Sequence, residues 1–210
     1  MQPARAGELD GLREVDVALR DGSHVTVRPI APQDADALRA SFERLSEESR
    51  YRRFLSPIHK LSGPMLRYLT DVDHRDHEAL VAVPVDGTLV GVARAVRLRD
   101  NPQAAEVAVT VADDWQGRGL GTALLGLLAE RARAMGITRF TALVLITNRE
   151  MLELFEQLGP IHIIERSSGT TELEITLPPE GAGPHLSELM RGSASGRYEV
   201  VASAPKVPQP

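Results

Sequence analysis

Apolar and polar residues alternate along His24-Val25-Thr26-Val27-Arg28-Pro29-Ile30, the period of two that sends successive side chains to opposite faces of a strand. The stretch Ala31 to Leu45 switches to helical spacing at Leu38, Phe42 and Leu45, with Pro32 at its start. Two shorter helices are predicted over 46–56 and 62–72, with Ser46 and Ser62 as caps and Pro64 tolerated in a first turn. From His77 two apolar runs flank Asp86-Gly87, a dipeptide that favours a tight hairpin turn. A fourth predicted strand covers 103–113, and residues 119 to 135 form a long helix with Leu124, Leu127, Leu128 and Met135 toward the core, ended by Gly136.

The almost wholly apolar run Ile137 to Ile146 predicts a strand buried on both faces. Asn148 then opens a helix that stops at Gly159, and 161–167 and 170–178 supply two further strands. Seven strands and five helices result. Past Pro178 the composition turns to Gly, Pro, Ala and Ser without periodicity, which predicts a mostly disordered tail over 179–210 with at most a short helix around Leu186 to Met190. The expected organisation is an N-terminal extension over 1–20, one domain over 21–178, and that tail. No repeat of 20 to 50 residues is visible.

At 210 residues, 42% hydrophobic and 25% charged, the chain has the composition of one ordinary globular domain. A formal charge of -5 argues against a nucleic-acid backbone as partner. The absence of cysteine excludes disulfides, thiolate catalysis and cysteine-type zinc sites. No signal-peptide pattern and no uninterrupted apolar run of membrane-spanning length stand in the sequence, so a cytoplasmic protein without membrane contact is expected. Lys60 and Lys206 are the only lysines, so acceptor amines for chemistry at lysine would come from other molecules.

The most informative stretch is Val111 to Leu125, where Gly117, Gly119 and Gly121 precede a leucine-rich helix. A strand that runs through glycines into a helix gathers unpaired backbone N–H groups at the positive end of the helix dipole, and glycine lets a phosphate approach them closely. The spacing matches neither GxxxxGK[ST] nor GxGxxG; it is Gln116-x-x-Gly119-x-Gly121. In this form it resembles the pyrophosphate loop of the GNAT (Gcn5-related) N-acetyltransferases. The segment RPIAPQDADALRASFERLSEESRYRRFL and the strand AAEVAVTVADDWQGRGLGT are similar to bacterial protein lysine acetyltransferase domains of the Pat type.

The resemblance implies an α/β fold of the α+β kind: a mixed, mostly antiparallel sheet of six to seven strands flanked by helices and splayed between the fourth and fifth predicted strands. It implies acetyl-CoA as cosubstrate, with Gln116, Gly117, Arg118, Gly119, Leu120, Gly121 and Thr122 at the pyrophosphate and Val109, Thr110 and Val111 at the pantetheine and thioester. Asn148 would contact the pantetheine arm or serve only as a helix cap. The acceptor would be a protein lysine or a small amine, by direct attack in a ternary complex, with monomer and homodimer both open. A non-catalytic acyl-CoA-binding module is the rival reading. Pat-type enzymes often carry a cyclic-nucleotide-binding domain; about 20 residues before the first predicted strand leave no room for one, so nucleotide regulation within the chain is not expected.

An amine with a pKa near 10.4 must lose a proton before it attacks. Glu106 is the expected base, because a carboxylate within AAEVAVTV is costly unless used, and alternation places it with Ala108 and Thr110 on one strand face, opposite Val107, Val109 and Val111. Phe155 stands where many GNAT enzymes have a tyrosine acid, which leaves water or a group the sequence does not identify to protonate the departing thiolate. Asp73 to Glu78 has metal-ligand residue types but reads as a solvated loop, and no metal is expected. Arg50, Arg52 and Arg53 read as a charged helix face, with an acidic protein or the 3′-phosphate of CoA as alternative contacts. Trp115 is expected at a pocket rim, and Asp113 and Asp114 near a cationic substrate.

Overall fold

The computed structural model describes residues 14–178; the predicted tail, its short helix and most of the N-terminal extension lie outside them. The strands are β1 Val15–Ala18, β2 His24–Pro29, β3 His77–Val83, β4 Gly91–Arg97, β5 Ala104–Val111, β6 Arg139–Leu145, β7 Ile161–Ser167 and β8 Thr170–Thr176. The helices are α1 Ala35–Arg44, α2 Glu47–Phe54, α3 Gly63–Thr70, α4 Leu120–Ala134 and α5 Arg149–Leu158. One sheet of eight strands results, in the order β1-β2-β3-β4-β5-β6-β8-β7. Every pair is antiparallel except β5 with β6, which are joined through α4 and run parallel.

The count exceeds the expected six to seven because Val15 and Val17 belong to an additional strand, whose Val17 pairs with Val25. The sheet therefore starts before residue 21. A second difference concerns Asp86-Gly87. Instead of a two-residue hairpin, β3 and β4 are joined by a longer connection in which Gly87 donates to the Pro84 carbonyl and Asp86 accepts from the Thr88 N–H. Gly87 does adopt positive φ, at 79°, so the dipeptide makes a turn but not the shortest one.

Alternation along β3 explains why the sheet is covered on both sides. Leu80 and Ala82 join α4 in one core, whereas Ala79 and Val81 join α1 and α3 in the other. Ten of the fifteen residues of α4 are buried, and the helix lies so close to β4 that a Cβ on Gly91 would stand 2.7 Å from Leu124 Cδ1. Ser46 and Ser62 cap α2 and α3 as expected, accepting from the N–H groups of Ser49 and Met65. No helix among the described residues is long and apolar enough to cross a membrane.

The polar run Asp73 to Glu78 is a solvated loop only in part: Asp73, Arg75 and Asp76 are exposed outside any strand, whereas His77 and Glu78 begin β3. Asp73 Oδ1 accepts from three successive backbone N–H groups, and Glu78, buried on β3, pairs with Arg131 Nε and His74 Nδ1, each at 2.7 Å. His77 Nε2 contacts Arg94, which also donates to the Leu69 carbonyl. These carboxylates and imidazoles are consumed by structure, and no group of three such side chains among the described residues is arranged to hold a metal ion.

Burial first, then the neighbouring Arg94 charge, lowers the His77 pKa from 6.5 to about 4. The unfolded chain therefore binds more protons than the folded one between these values, and stability rises with pH across that window. Denaturant titrations between pH 4 and 6.5 should show a steeper loss of stability on acidification in the wild-type chain than in His77→Asn.

Candidate functional site

Beyond one end of β5 the sheet opens. β5 and β6 pair only through Ala104↔Arg139, Ala105↔Phe140 and Glu106↔Thr141, although β6 remains paired with β8 along its whole length and β5 with β4 almost throughout. The predicted splay is thus present, and Glu106 is the last β5 residue in register with β6. Its side chain is exposed.

Backbone direction follows from two bonds. The Ala112 N–H donates to the Val90 carbonyl and the Leu98 N–H to the Ala104 carbonyl, so the even-numbered residues of β5 turn their N–H and C=O toward β4. Val109 and Val111 accordingly direct theirs into the opening. The side chain of Gln116 donates at 3.1 Å to the Val111 carbonyl. Thr110 spends its backbone on β4 and takes part in the opening by its side-chain face.

At the mouth, Gly117 and Gly119 have φ of 75° and 88°, a region that favours glycine. Gly119 is the N-terminal cap of α4, with no side-chain cap and no acidic residue in the first turn. The first-turn N–H groups of Leu120, Gly121 and Thr122 therefore lack intrahelical acceptors. Gly121 is small for a different reason: a Cβ there would approach Leu154 Cδ2 to 3.3 Å. Leu120 is buried, so its contribution is backbone, and Thr122 Oγ1 leans on Gln157 at 3.5 Å.

These groups surround a cleft of about 320 Å³ lined by Val109, Thr110, Val111, Gln116, Gly117, Gly119, Leu120, Gly121, Thr122 and Asn148. Asn148 Oδ1 accepts from the Met151 N–H, so it caps α5 and lines the cleft at once. Arg118 is the exception among the expected contacts. Its guanidinium donates to Asp21 and to the Asp114 carbonyl and lies 4.7 Å over the Trp115 ring, away from the cleft, which leaves only its backbone for a ligand.

Several wall residues escaped the sequence reading. Arg20 arrives because its N–H donates to the Arg118 carbonyl, tying the β1–β2 turn to the glycine loop. Arg52 and Arg53 both depart from the solvated helix face expected of them and line the cleft, Arg52 while paired with Glu48 and Glu150. Phe155 is buried in the core and absent from the cleft wall. Trp115 lines the rim as expected.

Asp113 is not poised for a cationic substrate. It accepts from the Ser46 N–H, the Ser46 hydroxyl and the Ser49 hydroxyl, which binds the start of α2 to the loop after β5. Partial desolvation raises its pKa, but the bonds from Ser49 and Ser46 outweigh this and hold it below the ordinary carboxylate value.

A strand forked from its neighbour beside an uncapped, glycine-bordered helix start defines a site for an extended ligand with an anionic end. Residues 39–159 match the model of the acetyltransferase (GNAT) family, to which the chain belongs. Acetyltransferase Pat of Mycolicibacterium smegmatis is 37% identical over 179 residues, 84% of this chain, and the chain spans only 53% of that protein's length. An acetyltransferase of Pseudomonas aeruginosa is 38% identical over 145 residues, 68% of this chain and 77% of its own length. The crystal structure of the GNAT domain of S. lividans PAT superposes with a TM-score of 0.73 at 34% identity, covering 84% of this chain and all of that domain.

Because Asp113 supplies acceptors to an N-terminal cap, Asp113→Ala should cost on the order of 1–2 kcal/mol. Hydrogen exchange should accelerate at the α2 amides first, with the amides of α4 and β3 little changed.

Proposed function

We propose that this domain transfers an acetyl group from acetyl-CoA to an amine, a protein lysine side chain being the intended acceptor. The observation that carries the reading is the parting of β5 from β6 immediately after Glu106, which sets a carboxylate beside two outward-facing strand amides. Family membership and the resemblance to Pat-type relatives support it.

Each residue has a task within this reading. The N–H groups of Leu120, Gly121 and Thr122 bind the pyrophosphate without a lysine, since a helix start holds an anion through its donors and dipole. Gly117 and Gly119 give the loop its path, and Gln116 fixes that loop to the end of β5. The N–H groups of Val109 and Val111 orient the pantetheine arm and polarise the thioester carbonyl, an electrostatic role that needs fixed donors in a site shielded from water. Asn148 flanks the arm from the start of α5.

Glu106 takes the proton of the acceptor ammonium, directly or through one water, so that the neutral nitrogen attacks within a ternary complex. Its exposure at the fork gives an incoming polypeptide access. Phe155 has no proton to give, so the departing thiolate is protonated from solvent. The setting proposed is the cytoplasm, in keeping with a cysteine-free chain.

Glu106→Gln separates an enzyme from a binding module. Turnover of labelled acetyl-CoA against lysine-containing polypeptides should fall by roughly 10²- to 10⁴-fold, the usual contribution of general base catalysis, while calorimetric affinity for CoA stays within about twofold of wild type. Equal turnover in both proteins would remove Glu106 from this role.

A further inference from the structure

Next to the cleft lies a smaller pocket of about 50 Å³ beneath α1, α2 and α3, on the face of β5 that carries Ala108 and Thr110. Its walls are mostly apolar, chiefly Phe42, Leu45, Phe54, Leu61 and Val92, and the cations in them are Arg53 and Arg94. Arg53 and Thr110 line both spaces, so the two meet at that point.

Arg53 differs from the other arginines nearby. Arg50 donates to the carbonyls of Phe42 and Glu43, Arg52 pairs with Glu48 and Glu150, and Arg94 is held by His77 and the Leu69 carbonyl. Arg53, half-buried, makes no hydrogen bond and no ion pair among the described residues; its guanidinium rests 4.9 Å over the Phe54 ring. The charged groups around it are Glu106 on β5, which with Tyr68 on α3 favours its charge, and Arg94 on β4, which opposes it. Burial outweighs the favourable pair and lowers its pKa. A desolvated cation without a hydrogen-bonded partner is costly, and an anion arriving with a ligand would supply one.

The shape of the space limits that ligand. About 50 Å³ holds on the order of three to five water-sized positions, too few for an amino-acid side chain and its backbone but enough for a short chain. Under the acyl-transfer reading, on which this inference rests, the thioester carbonyl lies beside the Val109 N–H. An acyl chain continuing from it passes Thr110 into the pocket, while the acceptor keeps the exposed approach at Glu106.

We propose that this pocket is an acyl-chain subsite admitting short acyl groups that end in a carboxylate, of the succinyl class, with Arg53, at the junction of the two spaces, as the residue that binds the carboxylate. The methylenes lie against the Phe42, Phe54 and Leu61 walls, and the terminal oxygens accept from the guanidinium. The transfer keeps the balance of the acetyl reaction: the amine nitrogen bonds the thioester carbon, the carbon–sulfur bond breaks, Glu106 takes the amine proton, and the departing CoA thiolate takes one from water. The terminal carboxylate leaves unchanged on the amide product.

Calorimetric titration of the full chain with acetyl-CoA, butyryl-CoA and succinyl-CoA tests this without knowledge of the acceptor. Succinyl-CoA should bind more tightly than its neutral analogue butyryl-CoA, and Arg53→Met should lower that preference by roughly 10- to 100-fold, as expected for a lost charge-assisted hydrogen bond, with Arg53→Lys restoring part of it. Should acetyl-CoA bind while succinyl-CoA shows no advantage, or should the preference survive in Arg53→Met, the subsite assignment is wrong and the acetyl-transfer reading stands. If no thioester binds, both fall. Circular dichroism and thermal unfolding identify a misfolded Met variant, in which case the Lys variant and the wild-type preference decide.

Discussion

Three registers of parallel pairing between β5 and β6 hold together two half-sheets, and the rest of the site depends on their ending where they do. On one side β5 is paired with β4 from Ala105 to Val111, and on the other β6 is paired with β8 from Arg139 to Leu145. Each half is complete, so the gap costs only the few bonds that would have closed it. At its edge the start of α4 meets the middle of α5: Leu154 on α5 stands against Gly121 on α4, and Val111 lies within van der Waals reach of the same glycine position. Backbone donors buried without acceptors are costly, so the gap is a place where an incoming chain of acceptors is favoured over empty space.

The covering helices divide the labour. α4 packs its buried face on β3, β4 and β5 and delivers its N-terminus to the gap, while α1 and α3 cover the opposite face and leave the margin of β5 near Glu106 exposed. A single strand thereby presents amides edgewise, a carboxylate on one face and valines to the core on the other. The period of two makes this possible. Shifting β5 by one residue would bury Glu106 and turn the even-numbered amides to the gap, so the β4 register decides which groups the gap receives.

Much of this was legible in the sequence because the signals were local. Ser46 and Ser62 cap helices through their own hydroxyls, the alternation in β5 sorts its faces, and the glycines at 117 and 119 mark the loop before α4. What escaped depended on distant partners. Val15 and Val17 make too short a run to predict a strand, and only pairing with Val25 and Val27 turns them into one. Glu78 and His74 look solvated until Arg131, more than fifty residues away, neutralises the carboxylate. The direction of Arg53 follows from packing α2 against β5, which a helical charge pattern does not encode. Asp113 resembled a substrate contact because its three donors come from residues 46 and 49.

The glycine-loop motif itself separates into residues that shape and residues that can touch. Gln116, its leading member, spends its amide on the Val111 carbonyl, and Arg118 spends its guanidinium on Asp21, Asp114 and Trp115. Neither side chain is left to grip an anion. What remains facing the cleft are main-chain donors, whose positions depend on φ at two glycines and on the bond from Arg20 to the Arg118 carbonyl. A side chain that held the ligand would have to be ordered each time the ligand bound, at an entropic cost. A loop whose side chains already brace one another presents its amides in place, so under the proposed function Gln116 and Arg118 would act by shaping the loop rather than by touching the ligand.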